Sequence, residues 1–306
     1  MAATAGPSVR RLQIAALMVG ASVAIIGADQ QPVFRASVDL VRVDVSVMNG
    51  LNPVAGLKAE DFVVTDNGVP QALDSVSLDR VPLNLMLVLD TSGSLAGERL
   101  THLIDALNGL VKSLRGEDAA SLITFSEPIR LAMKTTRDRD PLVAALTGLK
   151  ADGMTSVNDA VFLALQRRPA DADESRPVLL LFSDGRDTAS WLRSDHVIEA
   201  TKRSGMLVHV VELVADQWMG TRGVEIRPSS FLGTLADTGG GRRWFAKSAR
   251  DLRELFGKAL NELRARYLIT YSPSGVSREG WHDVKVTLTT RRGEVTARPG
   301  YFAGAQ

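Results

Sequence analysis

Three short segments carry oxygen ligands at places where a chain can bring them together. Asp90-Thr91-Ser92-Gly93-Ser94 follows the apolar run Leu85-Met86-Leu87-Val88-Leu89, and Ser183-Asp184-Gly185 follows a second apolar run, Val178–Phe182. Gly153-Met154-Thr155-Ser156 stands where a helix opens, with Thr155 or Ser156 placed for its N-cap. Continuous apolar runs mark strands buried on both faces of a parallel sheet, and such sheets bind ligands at the C-terminal ends of their strands. Two carboxylates, Asp90 and Asp184, would then share one rim with the hydroxyls of Ser92, Ser94 and Thr155. An oxygen-only set of this kind suits a hard divalent cation, and Mg²⁺ in particular wants octahedral geometry and keeps several waters. Neutral hydroxyls bring no charge. If they ligate directly and the carboxylates act partly through water, the cation stays electron-poor and can accept a carboxylate from another molecule.

Asp and Ser are common in turns and caps, so one such segment alone would be weak; three of them at three element ends are specific. Asp152, Asp159 and Asp187 lie near the same rim and read as solvated or capping carboxylates, not ligands. The four histidines, His102, His196, His209 and His282, lack the spacing of a helical zinc motif. His102 and His196 are expected to face solvent on helices, and His209 to fill a strand. No Gly-x-Ser-x-Gly elbow offers a hydrolase nucleophile. Gly241–Ser248 lacks the second glycine of a phosphate loop and reads as a strand followed by a helix cap. The basic residues between Arg242 and Arg266 alternate with Asp251, Glu254 and Glu262, which makes a solvated helix face and not a nucleic-acid stripe.

The elements that must position the rim have the rhythm of an α/β unit. Behind the first apolar strand, Leu100, Leu103, Ile104, Leu107, Leu110, Val111 and Leu114 fall three and four apart on one helical stripe. Further buried strands are expected at 121–125, 178–182 and 207–214, and helices at 140–149, 156–167, 192–203 and 248–264. Strands alternating with helices mean a doubly wound, mostly parallel, Rossmann-like sheet. The texture on either side is different. Val41, Val43, Val45 and Val47 alternate with polar residues, and Asn49-Gly50 and Asn67-Gly68 sit where strands must reverse. After Arg266 come a short strand at 267–271, another alternation at Val284, Val286 and Leu288, a turn at Arg291-Arg292-Gly293 and a last strand near Tyr301. Each flank is too small for an independent sheet, so the two are expected to make one small β-sandwich into which the α/β unit is inserted. The boundaries are residues 29–80 and 267–306 for the two parts of the sandwich and 81–266 for the insert.

Composition bounds the rest. The chain has 306 residues, 45% of them hydrophobic, with 36 basic against 35 acidic side chains and a net charge of +1. That excludes a disordered or multi-span membrane protein and gives no general attraction to nucleic acid or anionic lipid. With no cysteine, disulfides, thiolate zinc sites, Fe–S clusters and a cysteine nucleophile are excluded. Residues 1–28 read as a secretory signal peptide: Arg10 and Arg11 precede an apolar run from Leu12 to Ala28, with cleavage expected before Asp29. An uncleaved anchor is the alternative, and the only membrane contact this reading contains.

The Asp90–Ser94, Gly153–Thr155 and Leu180–Gly185 segments, in that order, resemble the metal-ion-dependent adhesion site of von Willebrand factor A domains, the fold also found in integrin inserted domains. The resemblance runs from Val81 to about Arg266, and Leu235–Gly240 onward is similar to the last helix–strand–helix of that family. It implies that Asp90, Ser92, Ser94, Thr155 and Asp184 are the metal-site residues, with Mg²⁺ as the ion and Mn²⁺ or Ca²⁺ as alternatives. Leu57–Phe62 and Arg298-Pro299-Gly300-Tyr301 are similar to segments of bacterial exported proteins in which an A domain sits between short β segments. The resemblance implies a secreted or cell-envelope binding module, not an enzyme, whose protein partner presents an Asp or Glu carboxylate. The alternative is a metal-dependent enzyme, or enzyme subunit, of the envelope.

Overall fold

The computed structural model describes residues 40–78, 81–167, 174–184, 186–214, 229–290 and 293–304. The expected signal segment, the expected cleavage site and most of the Arg291–Gly293 turn lie outside them. The chain enters through β1 (Val41–Asn49), β2 (Asn52–Pro53), β3 (Phe62–Asp66), β4 (Val69–Gln71) and β5 (Ser75–Ser77). The reversal between β3 and β4 is made by Asn67 (φ 46°) and Gly68 (φ 81°), the left-handed pair that a two-residue hairpin of the primed type requires.

Next comes β6 (Leu83–Asp90), whose eight residues are all buried, then α1 (Glu98–Lys112), β7 (Ala119–Phe125), β8 (Ile129–Thr136), α2 (Arg139–Thr147) and α3 (Val157–Leu165). They are followed by β9 (Arg176–Ser183), α4 (Ser194–Ser204), β10 (Leu207–Leu213), α5 (Ser230–Thr238), β11 (Arg243–Ala246) and α6 (Leu252–Arg264). The chain closes with β12 (Tyr267–Tyr271), β13 (Gly280–Leu288), β14 (Glu294–Ala297) and β15 (Gly300–Ala303).

The central sheet has the order β11-β10-β9-β6-β7-β8. Its pairings are parallel except β7 with β8. The strand order reverses at β6, so the strands that follow it lie on both sides and helices cover both faces. Leu85, Leu87 and Leu89 point to one face, where they meet Leu103, Leu107 and Val111 of α1 and Phe256 and Leu260 of α6. Met86 and Val88 point to the other, against Val157 and Val161 of α3 and residues of α4 and α5. A leucine in such a layer, cut back to alanine, costs about 3 kcal/mol.

Two further sheets are built from both ends of the chain. One has the order β14-β1-β12-β5, with β2 paired to β1; the other has the order β15-β13-β3-β4. Val41, Val43, Val45 and Val47 of β1 share a core with Val64, Tyr267, Ile269, Tyr271, Val284 and Val286, so the two sheets pack face to face. Asp66 sits wholly buried in this core. It accepts hydrogen bonds from Tyr271 and Tyr301 at 2.9 Å each and lies 2.7 Å from Nδ1 of His282.

Arg266, also fully buried, closes the seam between the sandwich and the insert. It donates to Glu262 at 2.9 Å and to the carbonyls of Gly240, Thr296 and Asp44. Nε2 of His209 lies 3.1 Å from the other oxygen of Glu262. Burial pushes the His209 imidazole down to about 4, so it is neutral at physiological pH. The strand-filler reading of His209 missed this polar cluster, because its partners come from residues more than fifty positions away.

Candidate functional site

Asp90 is the last residue of β6 and Ser183 the last of β9, and these are neighbouring strands of the central sheet. Both side chains are 0% exposed. The Ser183 hydroxyl donates to Asp90 Oδ2 at 2.8 Å, and the backbone N–H of Ser92 donates to Asp90 Oδ1 at 2.9 Å. Burial is the main force on this carboxyl and pushes its pKa up to about 6. The Ser92 hydroxyl, the Ser92 N–H and the Ser183 hydroxyl pull it back, while the charge of Asp184 pushes it further. Two carboxylates thus bear on one rim.

The loop after β6 turns back at once. Ser92 Oγ and Ser94 Oγ lie 3.1 Å apart, the first buried and the second exposed. That loop is stitched to the one before α3: Gly93 N–H donates to Gly153 O at 3.0 Å, and Asp152 N–H donates to Thr91 O at 2.9 Å. Gly153 holds φ at +78°, a conformation that favours glycine. Thr155 follows it, 5% exposed. Ser156 occupies the N-cap position of α3, but its hydroxyl turns to Ser126 O and makes no cap bond to the helix. The expected side-chain cap is therefore replaced by a tie between loops.

Asp184 is half-buried and accepts from Arg186 N–H at 3.3 Å. The segment after it is held against the first turn of α3. Thr188 and Ala189 N–H both donate to Thr155 O, at 2.8 and 2.9 Å, and Thr155 N–H donates to Thr188 Oγ1 at 2.9 Å. Asp159 accepts from Trp191 and Leu192 N–H at 2.9 and 2.8 Å, and Asp187 from Ser190 and Asn158 N–H at 3.0 and 3.1 Å. Asp152 accepts from Gly153 N–H at 2.8 Å. These three carboxylates cap backbone, as their sequence positions suggested. Their bonds also end the loop at Arg193, so α4 begins at Ser194 and not at 192.

All five expected residues therefore sit at or next to the C-terminal ends of β6 and β9 and before the start of α3, Asp90 as the last residue of β6 and the other four in three loops that are bonded to one another. Two contributors were not singled out in the sequence. Ser183 orients Asp90, and Thr188 fixes the backbone of Thr155. Ser183 had a visible signal, its place at a strand end beside Asp184; Thr188 had none, since only the folded loop brings it to Thr155.

Among the described residues no three His, Cys, Asp or Glu side chains cluster as a ligand set. A cation at this rim would rely on hydroxyls and water, and the donor chemistry fits a hard ion: two carboxylates, a close hydroxyl pair and no nitrogen or sulfur donor.

Residues 85–186 match the family profile of the von Willebrand factor type A domain. The chain contains a von Willebrand factor type A domain. Its match to bovine inter-alpha-trypsin inhibitor heavy chain H4 is 31% identical over 124 residues, 37% of this chain and 13% of that protein. The chain spans about a quarter or less of the curated relatives it first matches. Two solved structures share the fold. One is von Willebrand factor type A from Catenulispora acidiphila, with a TM-score of 0.51 and 13% identity over 82% of this chain and 74% of that one. The other is proximal thread matrix protein 1 from the mussel byssus with a zinc-occupied MIDAS motif, the metal-ion-dependent adhesion site. Its TM-score is 0.50, with 13% identity over 64% of this chain and 49% of that one. In this A domain the matched segment begins inside β6 and ends two residues after Asp184, so it contains all three loops of the rim.

Proposed function

We propose that the A domain is a metal-dependent protein-binding module whose rim of Asp90, Ser92, Ser94, Thr155 and Asp184 holds Mg²⁺, with Mn²⁺ or Ca²⁺ able to substitute. The observation that carries this reading is the convergence of two carboxylates and a hydroxyl pair on loops bonded to each other, with Asp90 oriented by Ser92 N–H and the Ser183 hydroxyl. The zinc-occupied adhesion site named for the mussel protein supports it by likeness of fold. A bound cation would supply an electrophilic position for an Asp or Glu carboxylate of the partner. Ser183 holds Asp90 in place, Ser92 and Ser94 present their oxygens side by side, and the Thr188–Ala189 backbone fixes Thr155. Without an ion, an incoming carboxylate meets Asp90 and Asp184 and is repelled.

The reading is of a binder and not of an enzyme. Among the described residues, the hydrogen bonds at the rim involve hydroxyls, carboxylates, backbone groups and the Arg99 guanidinium, which donates to Ser94 O at 3.0 Å, and no histidine or lysine that would act as a general base. We further propose that the protein works outside the cytoplasm, on the strength of Arg10, Arg11 and the apolar run to Ala28. Among the described residues no helix is long and apolar enough to cross a membrane.

The test is capture of a partner from envelope extract with magnesium and again with EDTA. Binding should be lost in EDTA, in Thr155→Ala and when one acidic residue of the partner is neutralised. A partner retained equally in magnesium and EDTA would show that the metal does not bridge the two proteins.

A further inference from the structure

Trp191 is 94% exposed, although a tryptophan side chain is more often largely buried. It is not carried on a loose loop. Its own N–H and that of Leu192 are bonded to Asp159, Ser190 N–H is bonded to Asp187, and the Asn158 amide donates to Leu192 O at 3.0 Å. Leu192 packs on the core beneath. Two residues upstream, Ala189 is bonded to Thr155 O, and next to Thr155 stands Met154, itself 50% exposed. Among the described residues, the other exposed large apolar side chains lie on the β flanks, except Phe245, which has the Arg243 guanidinium 4.7 Å above its ring. Trp191 and Met154 are thus the apolar pair in the rim loops.

We propose that Trp191, supported by Met154, is the apolar anchor of the docking surface beside the cation position. The partner it fits is a protein segment carrying an acidic residue with an aromatic or aliphatic side chain close to it. This rests on the reading of the rim as a metal-bridged carboxylate site. A tryptophan offers a large contact area, and its rigid mounting means little entropy is lost on docking, which is the character of an interface hot spot. A membrane-inserting loop would combine several apolar side chains with a basic surround. Here the surround is mixed: Asp184, Asp187 and Asp195 stand among Arg186 and Arg193, and Arg193 is paired with Asp195 at 3.2 Å. It is not the basic face an anionic lipid surface would need, so a carboxylate-bearing partner bridged by the cation fits it better.

The probe is a set of capped heptapeptides with one central Glu, either among glycines or with a single Phe at each other position in turn. Each is titrated into the protein with Mg²⁺ and with EDTA, using wild type, Trp191→Ala and a remote control, Leu51→Ser. At least one Phe peptide should bind wild type and Leu51→Ser about tenfold more tightly than the glycine peptide. Trp191→Ala should lose that gain, bind the glycine peptide as wild type does, and keep its melting temperature. If the glycine peptide binds in Mg²⁺ and not in EDTA, yet no Phe position gains affinity, the anchor is refuted and the metal reading stands. If no peptide binds in Mg²⁺, the metal reading fails and takes the anchor with it. If wild type but not Trp191→Ala binds phosphatidylcholine–phosphatidylserine vesicles without the cation, the anchor belongs to a membrane contact and the proposal is overturned.

Discussion

The Ser183 hydroxyl donates a 2.8 Å hydrogen bond to Asp90 Oδ2 from the end of the adjacent parallel strand, with both side chains wholly buried. The bond joins the two strands that carry the carboxylates of the rim and fixes the direction in which Asp90 presents its charge. Ser183→Ala should destabilise the fold by about 1.5–3 kcal/mol at neutral pH, the net value of a hydrogen bond to a charged group. It should weaken Mg²⁺ or Mn²⁺ binding by roughly 10- to 100-fold, because an unoriented carboxylate serves the ion poorly. Urea unfolding and metal titration on the same variant separate the two effects, and an unchanged metal affinity would remove Ser183 from the site.

Asp90 also sets a pH dependence in the metal-free protein. Its folded pKa of about 6 lies above its ordinary value of 3.8. The folded state therefore holds this proton more tightly than the unfolded chain does, so the stabilising effect is complete below pH 3.8 and is lost as pH rises through 6. The difference corresponds to roughly 3 kcal/mol of destabilisation at neutral pH. Asp90→Asn removes the penalty while still accepting from Ser92 N–H. In EDTA it should melt higher than wild type at pH 7.5, with the gap closing toward pH 4.5. Saturating Mg²⁺ should narrow or reverse the order, since wild type gains more from the ion. A lower melting temperature for Asp90→Asn at pH 7.5 in EDTA would contradict this.

The buried trio Arg266, Glu262 and His209 makes a second stability prediction. Burial works against the Glu262 carboxylate, but the charge of Arg266 holds it below its usual pKa range, so it stays ionised inside the protein. Arg266→Met strands that charge and should cost about 3–5 kcal/mol in urea unfolding. The double variant Glu262→Leu with Arg266→Met should recover a large part of the loss. Failure of the second change to restore any stability would mean that the carbonyl bonds of Arg266, not its charge, matter most.

We propose that the two flanks form one folding unit with the A domain inserted in it. β1 pairs with β12 and β14, and β3 with β13, so the first flank completes its sheets only through strands more than 200 residues further on. A fragment of residues 29–80 should be disordered, whereas residues 81–266 alone should fold around the core of the central sheet. Proton–nitrogen NMR spectra of both fragments check this; a dispersed spectrum from 29–80 would refute the shared unit.

Much of this architecture is legible in the sequence because burial leaves a period. The unbroken run before Asp90 could only be a strand covered on both faces, and the leucines from 100 to 114 could only line one side of a helix. β8 was not legible. Ile129, Leu131 and Met133 alternate with Arg130, Ala132 and Lys134 on an edge strand that turns antiparallel, which the helix–strand rhythm conceals. The rim residues could be read because strand ends fix where a side chain must emerge. What could not be read depends on contacts between distant residues: His282 beside Asp66, Arg266 among four elements, and the loop that holds Trp191 in solvent and carries on past the expected helix start at Leu192.

The central claim is that the rim binds a divalent cation through Asp90, Ser92, Ser94, Thr155 and Asp184. Isothermal titration of Mn²⁺ into wild type, Asp90→Ala and Asp184→Ala, with circular dichroism to show that each is folded, tests it most directly. One ion should bind wild type, Mg²⁺ should compete for it, and each variant should lose at least about 100-fold in affinity. Undiminished Mn²⁺ binding by both folded variants would contradict the account and place the ion elsewhere.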